Sequence, residues 1–140
     1  MAFKSLAPNL MVEDVTATVA FYRDVLGFTV GDTAMDEGAL VWASVSADAV
    51  SVMFQARRSL EEELPQLKGQ PISASQTLYI GVDDADALYQ RIRSKAQVVK
   101  APQSTSYGAR EFYIQDPSGY ILGFSSAASA GDGDAGGAEA

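Results

Sequence analysis

Histidine and cysteine, the side chains that run most proton-transfer and thiolate chemistry near neutral pH, are both absent from the 140 residues. Residue type alone therefore excludes a Ser-His-Asp triad, an imidazole or thiolate metal site, an iron–sulfur cluster and a disulfide. Two acids, Glu37 and Glu111, could act as general bases if buried. Arg110 follows the loop Gln103-Ser104-Thr105-Ser106-Tyr107-Gly108. It could grip a carboxylate or phosphate bidentately, or pair with an acid such as Asp116 across a hairpin. The single tryptophan, Trp42, stands in the strand-like run Leu40-Val41-Trp42-Ala43. It is either a stacking wall for an aromatic ligand or a core anchor. The glycines are isolated or C-terminal, so no phosphate-cradling loop or dinucleotide fingerprint is present.

Composition narrows the partners. Apolar residues make up 47% of a chain long enough for one domain with a core that needs no covalent staple. Ten basic against 18 acidic residues leave a net charge of −8. Such a surface repels phosphate backbones and argues against nucleic acid. No apolar run approaches the ~20 residues of a membrane span. The opening MAFKSLAPNLMVED has one lysine and reaches acids by residue 13, unlike a secretory signal, so a cytoplasmic protein is expected.

The elements that must position any site repeat at an offset of 70 residues. Leu6-Ala7-Pro8-Asn9-Leu10-Met11-Val12-Glu13-Asp14 falls on Gln76-Thr77-Leu78-Tyr79-Ile80-Gly81-Val82-Asp83-Asp84. Each is a strand-like run closed by an Asp fit to cap a helix, because a carboxylate there accepts orphan amide hydrogens. Val15, Val19, Tyr22 and Leu26 then recur at helical spacing, with Gly27 as the stop, and Leu88, Tyr89 and Ile92 share a face in the second copy. Farther on, Ser51-Val52-Met53-Phe54 falls on Ile121-Leu122-Gly123-Phe124. Both modules read strand, helix, then three strands. The three strands are expected near residues 28–32, 40–46 and 49–55, and near 97–100, 110–115 and 120–125. Asp116-Pro117-Ser118-Gly119 is a turn signature joining the last two. The modules are assigned to residues 5–56 and 76–126 of one domain, with a linker over 57–75. The small, acidic residues 127–140 are expected to form a disordered tail.

A strand ending in VED, the stretch VAFYRDVLGF, the second opening LYIGVDDADALYQRI and the closing REFYIQDPSGYILGF resemble the vicinal oxygen chelate superfamily. This is the glyoxalase, bleomycin-resistance and extradiol dioxygenase group. The resemblance covers residues 5–126 and implies an α+β fold of two tandem βαβββ modules forming a curved mixed sheet around a cavity, commonly completed in a homodimer. In metal-using members the ion is held on the first and last strands of the modules. Those positions here are Ala7, Thr77, Gly123 and Met53, and none offers a carboxylate or imidazole. No metal and no other cofactor is therefore expected, and no catalytic residue is assigned. Without a Lewis acid the resemblance points to the metal-free, bleomycin-resistance-like branch, whose members sequester small molecules.

Alternate residues of a strand share a face, so the former ion-ligand face would also carry Asn9, Met11, Gln55 and Tyr79. The expected ligand-binding set is Asn9, Trp42, Met53, Gln55, Thr77 and Tyr79, with Tyr107 and Arg110 at the cavity mouth. The expected function is a dimeric, metal-independent protein that binds an aromatic or amphipathic small molecule. A lyase, isomerase or dioxygenase of the same superfamily with an atypical metal site is the alternative. A small interaction or regulatory partner using strand edges or helix faces is a third reading.

Overall fold

The computed structural model describes residues 1–128. The chain divides into two compact units, Met1–Ala74 and a second from Ser75 onward. The first runs β1 (Asn9–Val12), α1 (Val15–Asp24), β2 (Thr29–Asp36), β3 (Ala39–Ala47), β4 (Val50–Ala56) and α2 (Arg57–Glu63), followed by a 3-10 turn at Pro65–Leu67. Its sheet has the order β1-β4-β3-β2, with β1 parallel to β4 and the other pairs antiparallel.

Local chemistry sets these elements. Asp14 caps α1 by accepting the Ala17 amide at 3.0 Å. The helix then buries Val15, Thr18, Val19 and Tyr22, one stripe at helical spacing, against β3 and β4. The Tyr22 ring is fully buried and meets Phe28 and Phe54 at centroid distances of 5.6 and 4.8 Å. Gly27, at φ +83°, lets the chain leave the helix in a conformation that a side chain disfavours. Alternation along the strands puts Ala43, Val45, Val52 and Phe54 on the helix side of the sheet. Glu37 and Gly38, both at positive φ, make the tight turn between β2 and β3.

The second unit repeats the plan with β5 (Thr77–Gly81), α3 (Ala85–Ile92), β6 (Gln97–Ser104), β7 (Ala109–Gln115) and β8 (Ile121–Ala127), in the sheet order β5-β8-β7-β6. Asp84 caps α3 through the Ala87 amide at 3.0 Å. Phe112 packs between Tyr89 and Phe124, with centroids at 5.3 and 5.2 Å, and Ile92, Ile114 and Leu122 complete the core. The Asp116–Gly119 turn closes as its sequence implied. Gly119 donates to the Asp116 carbonyl at 2.9 Å, and the Asp116 side chain accepts the Ser118 and Tyr120 amides.

The βαβββ plan is thus present twice in an α+β fold, with several differences from the sequence expectation. β2 and β6 run on to Asp36 and Ser104. They are exposed outer strands in which burial does not alternate, so the sequence carries no period-two signal there. The span 57–75 holds α2 and the 3-10 turn. Only Leu60 is buried in α2, too little for an apolar stripe. β8 continues through Ala127, paired with Ala109, and the Ala128 amide donates to the Gly108 carbonyl at 3.0 Å. The remainder of the expected tail lies outside the described residues. Among the described residues no helix is long and apolar enough to cross a membrane.

Candidate functional site

Each sheet has a second face, turned away from its helix. In the first unit that face gathers Asn9, Trp42, Met53 and Gln55, because Asn9 lies opposite Met53 and Trp42 opposite Gln55. The Asn9 amide donates to Gln55 Oε1 at 2.9 Å, and Gln55 Nε2 donates to Ser59 and to Glu63, both at 2.9 Å. Gln55 is only 7% exposed. Its side chain therefore acts as a strut joining β1, β4 and α2, with its amide engaged at both ends. Trp42 and Met53 are half-buried beside it, leaving part of an indole face and a thioether open to a ligand.

In the second unit the corresponding face carries Thr77, Tyr79, Glu111, Tyr113 and Gly123. Tyr79 on β5 and Tyr107 in the β6–β7 turn both donate to Glu111 Oε1 at 2.7 Å, with the two hydroxyls 3.5 Å apart. The Glu111 side chain lies under this bridge, 2% exposed, whereas Tyr79 and Tyr107 are 52% and 59% exposed. β8 separates β5 from β7, and its small residues Gly123 and Ser125 on this face let the Tyr79 side chain reach across. The bonds with Tyr79 and then Glu111 hold the Tyr107 phenol protonated well above its ordinary range. Burial, reinforced by the nearby Glu111 charge, raises Tyr113. Chemically, the face can offer hydrogen bonds, aromatic surface and one carboxylate.

Of the eight residues chosen from the sequence, seven lie on these faces or in the turn beside them, and Arg110 does not. Arg110 alternates with Glu111 and shares the helix side with Phe112. It donates to Asp86 on α3 at 2.8 and 3.0 Å and to Ser104 at 3.3 Å. It is a strand-to-helix tie rather than a cap on the ligand face, and Asp86, not Asp116, is the acid it pairs with. Glu111 was recognisable as a base only on condition of burial, which it meets. The alternation in Arg110-Glu111-Phe112-Tyr113-Ile114 also marks its face, since Phe112 and Ile114 are the core residues. Glu37 is exposed in its turn beside Arg58.

The first unit also holds a cavity of about 650 Å³ at the junction of β3, β4 and α2, lined by Leu40, Val41, Ala56, Arg57, Glu61 and Lys68 among others. None of the sequence-chosen residues lines it. Its charges are largely committed: Arg57 binds Glu13, Glu61 and the Gln70 carbonyl, and the Gly69 amide holds Glu61 below the usual carboxylate range. Its volume alone therefore does not make it the better site.

The positions implied for an ion do not suit one. Ala7 precedes β1 and has no donor, Met53 offers a thioether, Thr77 a neutral hydroxyl and Gly123 nothing. A Cβ placed on Gly123 would meet the Tyr113 ring at 2.5 Å, so that ring occupies the space a ligating side chain would need. Among the described residues, no group of three or more Asp and Glu side chains is arranged to hold a metal.

Residues 4–124 match the family model described as "Glyoxalase/Bleomycin resistance protein/Dioxygenase superfamily". Among curated proteins, none matches in sequence. An antibiotic binding protein from Streptomyces sp. CB03234 is 20% identical, with a TM-score of 0.72 over 91% of this chain and 99% of that one. A glyoxalase/bleomycin resistance protein/dioxygenase family enzyme from Burkholderia phytofirmans PsJN is 22% identical, with a TM-score of 0.70 over 86% and 96%. The bleomycin-binding protein of Streptomyces verticillus, solved with copper(II)-bleomycin, is 22% identical, with a TM-score of 0.62 over 92% and 98%. At these identities the likeness establishes the fold.

Proposed function

The chain belongs to the glyoxalase/bleomycin resistance protein/dioxygenase superfamily, and within it we propose a small-molecule binding protein that sequesters its ligand without a metal. The observation that carries this reading is the Tyr113 ring lying across Gly123, where metal-using members hold an ion ligand. An aromatic ring stands where an ion-ligating side chain would be needed. The ligand-contacting groups are Asn9, Trp42 and Met53 on the first sheet and Thr77, Tyr79 and Tyr107 on the second, with buried Gln55 holding Asn9 in place from behind. Half-buried aromatic and thioether surface beside a few hydrogen-bonding groups suits a flat or amphipathic molecule. The antibiotic- and bleomycin-binding relatives of the same fold support this class of ligand. The protein works as a cytoplasmic homodimer in this reading, which light scattering on the purified chain would test.

The test is a fluorescence titration of Trp42 with metal-free bleomycin and a broad panel of aromatic compounds, paired with elemental analysis of gently purified protein. Saturable binding by protein containing no stoichiometric metal is expected. Stoichiometric nickel, zinc, manganese or iron would overturn the metal-free reading and favour the competing enzyme. Silence across the panel would remove the binding reading.

A further inference from the structure

We propose that the second module's sheet face recognises the positive charge of its ligand, a protonated amine or guanidinium, with Glu111 as the counter-charge and Tyr79, Tyr107 and Tyr113 as the wall around it. This rests on the small-molecule reading above and names the chemical class of the ligand.

The argument starts from an unbalanced charge. Glu111 is 2% exposed, yet its hydrogen bonds come from neutral phenols. Among the described residues no Lys or Arg nitrogen lies within ion-pair distance of it. Three other acids that are at least partly shielded are answered: Asp86 by Arg110, Glu61 by Arg57, and buried Asp116 by two turn amides. A carboxylate taken out of water is costly unless a cation or several donors compensate it. Two phenols supply part of that compensation, and a ligand cation would supply the rest, at a site where water screens the attraction poorly.

The surroundings suit a cation and no other charge type. Tyrosine rings attract cations through their faces, and three of them flank this carboxylate. Arg110, the nearest basic residue along β7, points to the other side of the sheet and is engaged by Asp86, so an anion finds no partner here. The overall charge of −8 draws cations toward the surface. Access runs through Tyr107, which is 59% exposed in a turn completed by Gly108 at φ +85°. Its hydroxyl meets Glu111 and Tyr79, both on this face, so swinging the phenol aside uncovers the carboxylate and leaves the core intact.

Three probes of nearly one shape separate the cases: tryptamine, its neutral alcohol analogue tryptophol, and indole-3-acetate, each titrated calorimetrically into the full chain at pH 7 and low salt. Tryptamine should bind at least about tenfold more tightly than tryptophol, and indole-3-acetate should not bind. Glu111→Gln, close to isosteric, should level tryptamine with tryptophol. Tyr107→Phe, at an exposed position that does not threaten folding, should narrow the gap without abolishing binding. Equal wild-type affinity for tryptamine and tryptophol overturns the inference, as does an undiminished preference in either folded variant. If these probes fail while neutral compounds of the wider panel bind, the charge assignment falls and the small-molecule reading stands. If nothing in the panel binds, both fall.

Discussion

In the first module the sheet face turned away from its helix is built from Trp42, Ser44, Met53 and Asn9, whereas the same register positions of the second hold Glu111, Tyr113, Gly123 and Tyr79. Bulk has moved across the strands. Ser44 opposite Met53 becomes Tyr113 opposite Gly123, so each cross-strand pair keeps one large and one small member while the large one changes strand. The helix-facing side shows no such exchange, with Phe54 and Phe124 in matching positions in both cores. The helix-facing side keeps an apolar core in both copies even where Ala43 is matched by Phe112, whereas the other face is where large and small residues trade strands and a buried carboxylate appears.

The largest expected effect falls on the shared side. Phe54→Ala and Phe124→Ala should each cost about 3–5 kcal/mol in urea denaturation, because both rings are buried and make aromatic contacts. A large loss in one module alone would break the comparison. Next comes the divergent pair. Gly123→Ala should cost about 1–3 kcal/mol, since the new methyl meets the Tyr113 ring, and Gly123→Ala combined with Tyr113→Ser should recover most of it. Met53→Leu in the half-buried counterpart should cost less than about 1.5 kcal/mol.

Smaller effects sharpen the picture. Asp14→Ala and Asp84→Ala remove equivalent helix caps and should each cost about 1 kcal/mol. Asp86→Asn breaks the tie to Arg110, which has no counterpart in the first module, where Thr16 and Val41 occupy the matching positions. The Asp86 side chain is 46% exposed, so solvent screening keeps this below about 1 kcal/mol. The Arg110 bonds depress the Asp86 pKa. Their stabilisation is therefore present above the unfolded value of about 3.9 and should vanish as pH falls below it, bringing wild type and Asp86→Asn together. Tyr107 has the opposite sign. Its raised pKa means a contribution that is complete below the unfolded value of about 10 and lost as pH climbs beyond it, so the stability difference from Tyr107→Phe should shrink only in strong alkali.

The fold was legible wherever local chemistry and burial agree. Asp14, Asp84, Gly27 and the Asp116–Gly119 turn are signals carried by a few adjacent residues, and each formed as read. The 70-residue repeat holds for the first and last strands of the modules. It slips by one between β3 and β7, since Trp42 corresponds in register to Glu111 rather than to Phe112. That slip is invisible without the pairing, and it hid the kinship of the two residues. α2 went unread because its seven residues include only one buried side chain. On the site, strand alternation identified most of the face. The partner of Arg110 lies on a helix 24 residues earlier, and Glu111 is covered by Tyr79 on β5, 32 residues earlier, as well as by nearby Tyr107, so local spacing alone does not encode either arrangement.

The pairing of β1 with β4 and of β5 with β8 also sets a timetable for synthesis. Asn9 faces Met53 and Thr77 faces Ile121, so 44 residues must be added before each opening strand meets its partner. At about 5–20 residues per second that is a wait of roughly 2–9 s, during which β1 is an unpaired ribbon on the nascent chain. The β2–β3 and β3–β4 hairpins, closed by short turns, can zip up meanwhile and offer β4 with one edge open. β4 ends at Ala56, well before Thr77, so the first copy can close its sheet before the second has begun to emerge. A ribosome stalled before Ile121 would release a finished first module attached to a second whose opening strand has nothing to pair with.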